Sequence, residues 1–89
     1  MIKIVKAEFV ADYVIDLYFS NGKKGRCDFM EFVSRPGELA KPLKDVDYFK
    51  KFFLELGAIC WKNGLELSAS SLYKKLDQVH ALKDVEQAA

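Results

Sequence analysis

Few of the residue types that carry most chemistry are present in this chain. Among 89 residues there are one histidine, one tryptophan, two cysteines and two prolines. A lone histidine cannot build a histidine cluster. His80 has only Asp77 and Asp84 at helical spacing, so a solvated imidazole is its expected state. Cys27 and Cys60 lack the paired spacing of zinc and redox sites, which predicts two free thiols in a reducing compartment. No metal or cofactor is expected. Net charge is scarce too: fourteen basic side chains against thirteen acidic ones leave +1. That balance removes the long-range positive field on which nonspecific nucleic-acid and anionic-membrane binding rely, while leaving room for a local basic patch. Long apolar runs are missing, and nothing approaches the roughly 20 residues of a membrane span. The opening Met1-Ile2-Lys3-Ile4-Val5-Lys6 interleaves charge with apolar residues, so no signal peptide and no membrane partner are expected, and the expected location is cytoplasmic.

What the chain has is apolar material for one core. Apolar residues make up 51% of it and seven are Phe. A chain this short buries only about 60 to 65% of its unfolded surface and has no supply for a second core, so residues 1–89 are expected to form a single domain.

Along the chain, residues 2–10 alternate loosely, and Tyr13, Ile15, Leu17 and Phe19 alternate strictly, as strands do. Ser20-Asn21-Gly22-Lys23 is turn chemistry, and Cys27 and Phe29 alternate beyond it, so residues 13–29 should form a β-hairpin. Met30 to Val33 suits one helical turn, which Pro36 and Gly37 end. Phe49, Phe52, Phe53 and Leu56 fall at helical spacing behind Asp45 or Asp47 as N-cap. The run 53–61 also reads as two short strands folded back at Gly57, and periodicity over so few residues does not decide between them. Asn63-Gly64 supplies the positive φ angles of a tight turn, and Leu65-Glu66-Leu67 alternates after it. Ser68 caps a helix whose apolar stripe runs through Ala69, Leu72, Leu76, Val79 and Leu82, expected to reach Val85 and to fray over 86–89.

The order of these parts resembles the bacterial domain of unknown function (DUF) 2442 family. The resemblance rests on Phe19, Asn21 and Gly22; Asp28; Pro42 and Leu43; Phe49; and most specifically Trp61, Asn63, Gly64, Glu66, Leu67, Leu72 and Tyr73. It covers roughly residues 3–73 as a family-like core, leaving 74–89 as a helical extension. Lys62 stands where the family tends to have Pro, and Glu66 where it tends to have Asp. The resemblance favours two strands over 53–61. It brings no established activity and no catalytic residue. It implies a small bacterial protein of the kind encoded beside another short protein, in an arrangement like a toxin and antitoxin pair.

Residue by residue, the ordinary readings dominate. A Trp ending an apolar strand is a core residue before it is a stacking platform. Asp45 and Asp47 are accounted for by capping and Asp28 by a strand end, although these with Glu66 would be the carboxylates to converge on a metal or an acid and base pair. Ser68, Ser70 and Ser71 have no nucleophile elbow and read as helix-start residues. Lys23, Lys24 and Arg26 share a hairpin with Tyr18, a basic and aromatic mixture of the kind that binds single strands.

The expected fold is α+β: a small, hairpin-rich antiparallel sheet of three to five strands, one or two helices on one face, and a C-terminal amphipathic helix. The expected function is a nonenzymatic interaction module of a small bacterial operon, antitoxin-like or regulatory. A nucleic-acid-binding accessory domain and an uncharacterised enzyme are the alternatives. Asp28, Trp61, Asn63, Gly64, Glu66, Leu72 and Tyr73 are the motif residues. Leu76, Val79, Leu82 and Val85 are the candidate interface with a protein partner or a second copy, because a short helix needs something to pack against.

Overall fold

The structure, a computed structural model, describes residues 1–85. The fraying expected over 86–89 lies outside the described residues. The fold is α+β, built from two antiparallel sheets and short helices. Strands β1 (Ile4–Ala11), β2 (Val14–Phe19) and β3 (Lys23–Asp28) form a meander, and β4 (Phe53–Glu55), β5 (Ala58–Cys60) and β6 (Glu66–Leu67) form a second sheet in the order β4-β5-β6. Helix α1 is the expected single turn, Met30–Val33, and α2 spans Val46–Phe49. Asp45 is the N-cap of α2, its Oδ1 accepting from the Asp47 N–H at 3.0 Å. The chain after Phe49 turns into β4 and β5, so the two-strand reading of 53–61 holds.

Alternation on β2 and β3 places the core. Ile15, Leu17, Phe19, Cys27 and Phe29 face inward and are buried against Leu43, Phe49, Ile59, Trp61, Leu72 and Leu76. Lys6, Glu8, Asp16, Tyr18, Lys24 and Arg26 take the opposite, outer face by the same period of two.

The C-terminal segment departs from the expectation. Helix α3 covers Ala69–Gln78, with Ser68 capping it by accepting from the Ser71 N–H. It stops there and does not reach Val85. His80 adopts φ +56°, its N–H donates to Asp77 O, and the Ala81 N–H donates to Leu76 O. This pair of bonds around a left-handed residue is the Schellman closure, here with His in the position usually held by Gly. The chain then reverses and adds β7 (Lys83–Asp84) to the edge of β3, completing a sheet of order β1-β2-β3-β7. Gly25 makes the return path possible: a Cβ there would lie 2.9 Å from Leu76 Cδ1 and 3.1 Å from Ala81 O.

Candidate functional site

The motif residues make two sets of ties. In the first, Trp61 directly follows β5 with its ring buried against Phe29 and Phe49 and its Nε1 donating to Phe49 O at 2.7 Å. The backbone then turns at Asn63-Gly64, Gly64 taking φ +97°. Asn63 Oδ1 accepts from the Leu65 N–H, its own N–H donates to Tyr48 Oη, and its Nδ2 donates to Leu39 O at 2.9 Å. One asparagine therefore fastens the loop around Leu39 to the turn before β6. In the second set, Tyr73 packs its ring edge-on to Phe19 at 5.1 Å and its Oη accepts from Asn21 Nδ2 at 2.9 Å. The hairpin turn and α3 are joined there. Leu72 is fully buried beside them.

The first set builds a cavity. Phe32, Pro36, Leu39, Leu65 and Leu67 line an apolar groove of about 360 Å³, with exposed Arg35 and Glu38 beside them. The Arg35 guanidinium stacks 4.6 Å from the Phe32 ring centre and Lys75 Nζ lies 5.2 Å from it. Leu39 is 48% exposed. The sequence offered one faint signal of this groove, an apolar Leu39 set in an otherwise polar Pro-Gly loop.

A second concavity, of about 300 Å³, lies on the outer sheet face and is lined by Asp16, Tyr18, Lys24, Gly25, Arg26 and Lys83. Register brings Lys6, Tyr18, Lys24 and Lys83 into one row across four strands. Lys6 and Lys24 approach the Tyr18 ring at 5.2 and 5.9 Å. In the next row Arg26 makes a two-bond pair with Asp16, at 2.8 and 3.1 Å. That hydrogen bond holds the Asp16 carboxyl below its ordinary range and raises Arg26. The Tyr18 hydroxyl donates to Glu8, which pushes its own ionisation up. Lys6 and Lys83 belong to this row by register, which hairpin spacing alone did not reveal. Lys23 leaves the group and pairs with Asp84 at 2.6 Å.

The remaining candidates are dispersed. Asp28 Oδ1 accepts from the Met30 N–H at the start of α1, and Glu66 is exposed on β6 opposite Cys60. Among the described residues no group of three or more His, Cys, Asp or Glu side chains is placed to hold a metal ion. Ser68 and Ser71 bond to each other at the helix cap. Cys27 and Cys60 are both buried free thiols, and burial pushes the Cys27 thiol up to about 11. The four candidate interface residues do not share an outward stripe. Leu76 is buried in the chain's own core, Leu82 packs against that core, Val85 is half-buried beyond β7, and Val79 alone is well exposed, at 67%. The turn at His80 separates them by breaking the helical period. Among the described residues no helix is long and apolar enough to cross a membrane.

No curated protein and no solved structure matches the chain. A family model described as "Protein of unknown function (DUF2442)" matches residues 4–78, from the first residue of β1 to the last of α3. That span holds both sets of motif ties, and the chain belongs to the DUF2442 family.

Proposed function

We propose that this protein is a nonenzymatic interaction module, the regulatory or antitoxin-like half of a small bacterial operon pair, and that it holds its protein partner at the apolar groove. One observation carries the reading: the motif asparagine, Asn63, ties Leu39 to the turn before Leu65–Leu67, so a motif residue fastens the two walls of an apolar concavity. Such a surface gains free energy when an apolar side chain of a partner displaces its water. The module works in the cytosol, where thiols such as Cys27 and Cys60 stay reduced. The test is co-purification with the product of the neighbouring reading frame, using wild type and Leu39→Glu. Leu39 is half exposed, so the variant keeps the fold and should lose the partner. Retention of the partner by Leu39→Glu, or failure of the wild type to retain it, would overturn the reading.

A second reading, a nucleic-acid-binding accessory domain, draws on the Lys6-Tyr18-Lys24-Lys83 row. Single strands favour cations beside an aromatic face. Salt-dependent retention on single-stranded DNA, lost in Lys24→Glu, is its test.

A further inference from the structure

We propose that two copies of this chain associate through their β1 strands, antiparallel and centred on Ala7, to join their four-stranded sheets into one. Among the described residues β1 is an edge strand, with β2 as its sheet neighbour. Its backbone phase follows from the next pair along. The Phe29 N–H donates to Tyr13 O, so odd-numbered β2 residues turn their polar backbone groups to β3 and even-numbered ones turn theirs to β1. Asp16 and Tyr18 therefore bond to their register partners Glu8 and Lys6, which leaves the N–H and C=O of Ala7 and Phe9 pointing off the free edge. An edge of this kind is a template for another strand. Its near end is already closed, because the Ile4 N–H donates to Gly57 O of the β4–β5 turn. The open regular stretch is Lys6 to Phe9, bounded by the register shifts at Ile4/Lys6 and Phe9/Ala11.

Charge selects the register and the occupant. Lys6 and Glu8 stand on the same outer face as a 3.7 Å ion pair of their own strand, with side chains still 60% and 50% exposed and able to pair across an edge. Antiparallel pairing about Ala7 sets Lys6 opposite Glu8 of the second copy and Glu8 opposite its Lys6. Those are the non-hydrogen-bonded positions, where facing side chains come closest. Ala7 meets Ala7, and Val5, 60% exposed at the register shift beside Lys6, lies at the end of the paired stretch. Beside this edge, Leu56 holds φ +51° at 93% exposure, next to Gly57 at φ +81°. A left-handed turn position favours Gly or Asn, so a fully exposed leucine there is costly in both backbone and solvent terms. Cover from a second copy offsets the solvent part of that cost. This association does not use the apolar groove and stands or falls independently of the function proposed for it.

The test is sedimentation equilibrium of the full chain from about 1 µM to about 1 mM, the range in which small interfaces titrate. The wild type should show a concentration-dependent dimer. K6E and E8K each place like charges opposite one another in their own homodimer and should weaken it about tenfold or more. An equimolar mixture of K6E and E8K restores opposite charges in the mixed pair and should form a heterodimer about as tight as the wild-type dimer. Circular dichroism confirms that each variant is folded. A wild type that is monomeric over the whole range, a dimer indifferent to K6E, or a mixture that fails to pair would each overturn the proposal.

Discussion

The indole Nε1 of Trp61 donates to the backbone oxygen of Phe49 at 2.7 Å, inside a cluster where its ring meets both Phe49 and Phe29. The bond ties the end of α2 to the second sheet. Trp61→Ala should cost about 3 to 5 kcal/mol, from a cavity and an unpaired carbonyl together. Trp61→Phe keeps much of the volume and loses the donor, so it should cost about 1 to 3 kcal/mol. Urea denaturation of the three proteins separates the two contributions.

Asn63→Ala removes the tie to Leu39 O and the bond to the Leu65 N–H in one step. Both are partly exposed, so the loss in stability should be about 1 to 2 kcal/mol. The sharper effect should be on the groove: amide exchange at residues 37–40 should quicken in Asn63→Ala while exchange in β2 is unchanged.

Cys27 makes stability fall in alkali. Below the ordinary thiol value of about 8.5 both folded and unfolded chains carry a neutral thiol and the group contributes nothing. Above it the unfolded chain ionises while the buried thiol, raised to about 11, stays protonated. Wild type should therefore lose about 2 to 3 kcal/mol between pH 9 and pH 11 that Cys27→Ala does not lose. Denaturation midpoints of both proteins at the two pH values give the difference. At neutral pH neither thiol should react with an aromatic disulfide until the protein is unfolded, when two should titrate.

Gly25→Ala tests the C-terminal return. The added methyl meets Leu76 Cδ1, which can shift, and Ala81 O, which is backbone. A loss of about 1 to 3 kcal/mol is expected, with β7 displaced. Deleting residues 79–89 should also destabilise, because it uncovers Leu76 and Gly25 and removes the Lys23–Asp84 pair. A truncation as stable as the parent would show that the segment packs on nothing.

Leu56→Asn should raise stability by about 0.5 to 1 kcal/mol, since Asn accepts the left-handed conformation at lower cost than Leu and the lost side chain is exposed. Thermal melts at low protein concentration, where association does not contribute, provide the measurement.

Sequence alone determined the local elements, because each is set by contacts within a few residues. Strict alternation from Tyr13 to Phe19 specified β2, Asn21-Gly22 and Asn63-Gly64 specified turns, Ser68 specified a cap, and the block from Trp61 to Tyr73 specified the family. The choice between Asp45 and Asp47 as the other cap fell to the structure. Tertiary structure decided what became of the apolar stripe beyond Gln78. Leu76, Val79, Leu82 and Val85 continue a helical period, and no Gly or Pro interrupts them. Yet His80 closes the helix and Lys83–Asp84 joins β3. The reason is nonlocal: Gly25, far earlier in the chain, leaves space for the reversal, and the β3 edge offers hydrogen bonds that a longer helix would forgo. The groove was hidden for the same reason. Its walls come from residues 32–40 and 65–67, brought together by the shared core under Phe32, Leu65 and Leu67 and by the Asn63 bond to Leu39, spanning 24 positions.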